Sequence, residues 1–212
     1  LLRKVLDRGE ERGIVTAEQR DAIQLGLLDR MAAIGTLEGS EEGGVNEILA
    51  PSEMLESVHR VRGGALFALA FLAPSILEGA GVSQGLNAAE SAIAQLGTAF
   101  QIVDDLTDFE FDVSRRSHNL LVSQVHHAGS DEERATLRRF WEGELIKASD
   151  VGSLFRDSAR EILDRAYTEA QASFVALSEL GFWFDPQLSD QVVQAIVGLD
   201  GVARIEDLIG PK

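Results

Sequence analysis

The stretch F100-Q-I-V-D-D-L-T-D-F-E-F-D112 places five carboxylates, Asp104, Asp105, Asp108, Glu110 and Asp112, directly after the apolar positions Ala99, Phe100, Ile102 and Val103. A solvated acidic helix face normally carries lysines and arginines among its acids, yet no Lys, Arg or His lies between Leu66 and Arg115. On a helix Asp104 and Asp108 are four apart and Asp105 and Asp108 three apart, so all three can point to one side. Gathered without a cation they repel one another. A bound divalent cation relieves that repulsion, and Mg²⁺, hard and oxygen-seeking, is the ion that pairs one or two carboxylates with phosphate oxygens.

Outward from this stretch nearly every segment has helical periodicity. Thr16 and Gln19 form a capping box ahead of a helix expected to end near Gly35. Residues 39–51 form a glycine-rich acidic loop, and Ser52 is the expected cap of a helix beginning at Glu53. Gly63, Gly64 and Pro74 are expected to interrupt or bend the apolar run Gly63–Leu77. Ser83 is the expected cap of the long helix that carries Phe100 to Asp108, and Ser114–Gly129 is expected to form one further helix. Ser130 and Glu133 make a second capping box, residues 156–181 a long amphipathic helix, and Gln187–Val197 a shorter one. No strand-length run of alternating β-branched residues and no internal repeat occurs. The expectation is an all-α bundle forming a single helical domain over residues 1–212.

Composition narrows the function classes. The chain has 212 residues, with 19 Lys plus Arg against 35 Asp plus Glu, for a formal net charge of −16. Such a field repels nucleic acid and anionic membranes and attracts cations. With no cysteine, disulfides, thiolate catalysis and cysteine-bound zinc are excluded. The apolar run Gly63–Leu77 is too short for a bilayer and contains Pro74. It is expected as a buried helix, in a cytoplasmic protein with no transmembrane segment. The first residue is Leu1 rather than Met, and the expectation is a processed or partial chain.

Gly97–Asp108, "GTAFQIVDDLTD", resembles the second aspartate-rich motif of the trans-isoprenyl diphosphate synthases, in which an aromatic residue and glutamine precede DDxxD by two positions. Ser52–Phe67, "SEMLESVHRVRGGALF", is similar to the family segment that ends in Lys-Thr, two small residues, Leu and Phe. The two blocks come in family order and at about the family's distance. The resemblance implies a fold of the isoprenoid synthase type, incomplete in this chain. It also implies a Mg²⁺-dependent prenyltransferase joining isopentenyl diphosphate to an allylic diphosphate. Asp104, Asp105 and Asp108 would hold the metals, with Asp104, Asp105 and Gln101 acting at the reacting diphosphate. Phe100 would line the reaction cavity.

Departures from the family pattern mark a divergent branch. Arg62 stands where the family has lysine and Gly63 where it has threonine, so Arg62 is the expected diphosphate contact. The two lysines that follow the family's second motif are absent, and Arg115 and Arg116 are candidate substitutes for their charge. His126 and His127 fall near the second of those positions. The family's first aspartate-rich motif is missing. The chain is therefore expected to be the C-terminal part of such an enzyme, inactive alone, in a homodimer or a heteromer with a chain supplying that motif. Two alternatives stand beside this reading. One is a non-catalytic or complementing subunit of a heteromeric prenyltransferase; the other is a class I terpene cyclase or squalene-synthase relative.

Overall fold

A computed structural model describes residues 2–78, 82–144, 151–183, 185, 187–189, 191 and 193. Among them there are helices and no strand, as the helical periodicity requires. In chain order these are α1 (Leu2–Glu11), α2 (Ala17–Ser40), α3 (Pro51–Met54), a π-helical stretch (Leu55–Gly64), α4 (Ala65–Leu77), α5 (Ser83–Thr107), α6 (Phe109–Arg115), α7 (Leu120–Ala128), α8 (Asp131–Trp141), α9 (Val151–Leu154) and α10 (Arg156–Glu179).

The long helix α5 is the axis of the bundle. It packs against α10 on one side and against the π-helical stretch and α4 on the other. The main core gathers Val58, Ile102, Leu106, Phe109, Leu121, Val125, Phe155 and Ile162. Within it Phe109 meets Phe155 at a centroid distance of 5.2 Å and Phe140 at 6.2 Å, tilted and edge-on contacts that rings favour.

Both capping boxes form as expected: Thr16 with Gln19 opens α2, and Ser130 with Glu133 opens α8. Other boundaries differ. Helix α2 runs past Gly35 to Ser40, because isolated glycines inside a helix cost only about 1 kcal/mol each and the end of α2 is tied down by ion pairs described below. The Ser52 cap is replaced by Ala50, with Pro51 in the first turn, where its missing N–H costs nothing. Helix α5 has Val82 at its cap position. The expected single helix Ser114–Gly129 is two helices. Arg116 takes a left-handed conformation (φ 55°, ψ 40°) that ends α6, and Asn119 caps α7 by accepting from Leu121 N and Val122 N.

Gly63, Gly64 and Pro74 do not break the chain's path: helix runs from Pro51 to Leu77 without a gap. The glycines instead allow a close crossing. A Cβ on Gly63 would lie 2.5 Å from Gly97 O, and one on Gly97 would lie 2.3 Å from Gly63 O. The threonine of the resembling family cannot be accommodated at position 63 while this crossing stays as it is. The π-helical hydrogen bonding, seen in Ala65 N donating to Arg60 O, widens the turn. It brings Leu55, Val58, His59, Gly63 and Gly64 to the buried side.

Helix α4 is not the buried helix expected: among its residues only Ala68 is buried. The run Pro51–Leu77 is long and apolar enough, by length and composition, to cross a membrane. At the other end, Asp185 Oδ1 accepts from Gln187 N at 2.8 Å and Leu188 N at 3.0 Å. Most of the helix expected to follow lies outside the described residues.

Candidate functional site

Four elements meet at the C-terminal end of α5: the π-helical stretch, the end of α2, α6 and the start of α7. The three aspartates of DDLTD enter different surroundings. Asp105 is 2% exposed and faces inward. Its Oδ2 lies 2.8 Å from His59 Nε2 and accepts the backbone N–H of Leu120. Asp104 is half-buried and Asp108 exposed. Gln101 spans the first two acids, donating from Nε2 to Asp104 Oδ2 at 3.0 Å and, at a longer 3.4 Å, to Asp105 Oδ1.

Asn119, which the sequence reading did not single out, is the joint of the site. Its Nδ2 donates to Asp105 O at 2.6 Å and to Asp112 Oδ2 at 2.9 Å, while its Oδ1 caps α7. A sequence signal existed, since Asn119 directly precedes the apolar run Leu120–Val122. Expecting one helix through this point concealed it.

Arg62 also bears on these acids. Its Nε lies 2.5 Å from Glu38 Oε1 and its Nη2 donates to Glu41 Oε1 at 2.5 Å. Glu41 is buried, and its second oxygen accepts from His118 N at 3.2 Å. The extension of α2 past Gly35 is what carries Glu38 and Glu41 to Arg62.

The acids remain short of positive charge. Burial raises the Asp104 carboxyl above the usual range, and Asp108 and Asp105 raise it further, against Gln101 and Arg62. Burial pushes Asp112 up to about 7, opposed first by the Asn119 hydrogen bond and aided by Asp105 and Asp108. Burial also lowers His118, with Glu41 opposing.

Of the remaining candidates, Arg115 and Arg116 do not join this cluster. The Arg115 guanidinium sits 5.0 Å from the centroid of Phe111. Arg116 accepts Val45 N through its carbonyl at 2.8 Å. It lines a cavity of about 270 Å³ with Val45, Asn46, Val113 and Trp141. Phe100 is 39% exposed, its ring 5.7 Å from that of Phe67. His127 Nε2 is 2.8 Å from Ile48 O, and its ring is edge-on to His126. Neither histidine approaches the aspartates.

Among the described residues, no group of three or more His, Asp or Glu side chains is arranged to hold a metal ion. The donor set suits a hard cation in part: Asp104 and Asp108 lie one turn apart, while Gln101 turns its amide nitrogen to Asp104. Asp105 is already engaged. Two carboxylates leave most of an octahedral shell to water and phosphate oxygens. Compared with family models, with curated proteins and with solved structures, the chain matches none.

Proposed function

We propose that the acidic end of α5 is one face of a Mg²⁺-dependent diphosphate site, in a chain belonging to a prenyltransferase of the isoprenyl diphosphate synthase type. The observation that carries this reading is the treatment of Asp104. A solvated acidic face needs no positioning, yet Asp104 is half-buried, oriented by Gln101 and raised by burial and by its neighbouring acids. A carboxylate held in this way is stabilised by an arriving cation. Asp104 and Asp108 would hold Mg²⁺, whose chemistry there is neutralisation of charge on a departing diphosphate. Gln101 keeps Asp104 in place. Phe67 on α4 and Phe100 on α5, with rings 5.7 Å apart, offer an apolar surface to a prenyl chain. The opposite face of the site would come from the family's first aspartate-rich motif, supplied by a partner chain.

A second reading has its own observation. Arg62, the expected diphosphate contact, is engaged by Glu38 and Glu41, and the family's following lysines are absent. This favours a subunit that shapes a catalytic partner without binding diphosphate itself.

One assay separates the two readings. Radiolabelled isopentenyl diphosphate and Mg²⁺ are combined with C5, C10 or C15 allylic diphosphates, using the chain alone and the chain supplemented with one bearing the first motif. Turnover by the completed form that Asp104→Ala abolishes supports the diphosphate site. Turnover indifferent to Asp104→Ala supports the subunit reading.

A further inference from the structure

His59 and Asp105 are 46 positions apart, on the π-helical stretch and on α5, and are 1% and 2% exposed. A buried carboxylate is tolerated only when its lone pairs are taken up. Here His59 Nε2, Leu120 N and, at longer range, Gln101 Nε2 converge on it. The other ring nitrogen of His59, Nδ1, has no partner among the described residues, so the polar function of this imidazole is spent on Asp105.

The clasp has a geometric consequence. Successive residues on an α-helix are roughly 100° apart around the axis. Fixing Asp105 inward therefore fixes the direction of Asp104, and with it that of Asp108 one turn on. Gln101, bonded to both Asp104 and Asp105, couples the two carboxylates. The Gly63–Gly97 approach holds the two helices close enough for His59 to reach α5.

Resting on the cation–diphosphate reading above, we infer that His59 is a positioning residue. It holds Asp105 as the internal carboxylate of DDLTD and so turns Asp104 and Asp108 toward the cation. The motif is thereby divided between one acid that anchors the helix and two that face the ligand.

The test combines Mg²⁺ titrations in the presence of pyrophosphate, melting temperatures and amide exchange on the full chain. Asp104→Asn should lose affinity with its melting temperature intact. His59→Leu should lose both, with affinity falling on the order of tenfold or more, as removal of supporting groups does at metal sites. His59→Gln, whose amide nitrogen can occupy the place of Nε2, should recover both. Asp105→Asn should lower the melting temperature as His59→Leu does. The inference is overturned if His59→Leu stays folded with wild-type affinity. It is equally overturned if Asp105→Asn keeps the wild-type melting temperature while losing affinity as Asp104→Asn does, which would make Asp105 a ligand. Should His59→Leu fail to fold, the same decision rests on His59→Gln and Asp105→Asn. A wild-type chain that binds no Mg²⁺ with pyrophosphate refutes the diphosphate reading and the positioning role together. The clasp is then judged by NMR: slow exchange of the His59 Nε2–H and the Leu120 amide upholds it, and rapid exchange of both removes it.

Discussion

Helix α4 is the more apolar of the two helices α4 and α7, yet it is the less buried. In α7, "LLVSQVHHA", Leu120, Leu121, Val122, Ser123, Gln124 and Val125 are all buried. In α4, "ALFALAFLAPSIL", only Ala68 is. The cause lies in the neighbours. Among the described residues, α7 is enclosed by α3, α5, α6, α8 and α10, whereas α4 has α5, the π-helical stretch and α2. Helix α2 in turn leaves Leu25, Leu28 and Met31 exposed. A helix apolar on all sides is normally a core helix. Burial here is set by how many elements surround it, so composition alone misplaced α4.

That contrast predicts unequal costs for equal truncations. In urea unfolding, Leu121→Ala should lose about 3–5 kcal/mol, transfer and cavity costs together. Leu66→Ala on α4, where Leu66 is 51% exposed, should stay within about 0.5 kcal/mol of wild type. Similar losses at both sites would mean that α4 is covered in solution and would break the comparison.

Glycine substitutions sharpen it further. Gly97→Ala drives a Cβ against Gly63 O and should cost about 1–3 kcal/mol, as overpacking does. Gly35→Ala, with nothing among the described residues within 4 Å of the added atom, should stabilise α2 by about 0.5–1 kcal/mol. Thermal melts of the two variants should therefore shift in opposite directions.

A pH-dependent effect follows from Asp112. Its folded carboxyl sits at about 7, against about 3.9 for an unfolded aspartate. Between these values the folded state binds more protons, so this group's contribution to stability falls as pH rises through the window and levels off above it. Asp112→Asn removes the dependence while keeping an oxygen for Asn119. The melting temperature of the variant relative to wild type should climb from pH 4 to pH 7 and then stay constant. A flat difference across that range would show that Asp112 titrates normally.

What the sequence made legible was local. Each capping box is closed by residues three apart, Thr16 with Gln19 and Ser130 with Glu133, so spacing alone reveals it. The all-α class follows from repeated periodicity in the same way. The site was legible only as a list of acids. Its organisation depends on contacts across the chain: His59 with Asp105, Arg62 with Glu38 and Glu41, and the backbone approach of Gly63 to Gly97. In each of these the partners lie on different elements, 21 or more positions apart. The split at Arg116–Asn119 escaped for another reason, because a non-glycine residue took the left-handed position that usually announces a helix end.

The central claim is that Asp104 and Asp108 present an incomplete cation shell that diphosphate completes. Mg²⁺ titration calorimetry with and without pyrophosphate tests it most directly. Weak binding of Mg²⁺ alone and binding at least about tenfold tighter with pyrophosphate, lost in Asp104→Asn, is the predicted result. Equal affinity with and without pyrophosphate, or tight binding that survives Asp104→Asn, would contradict it.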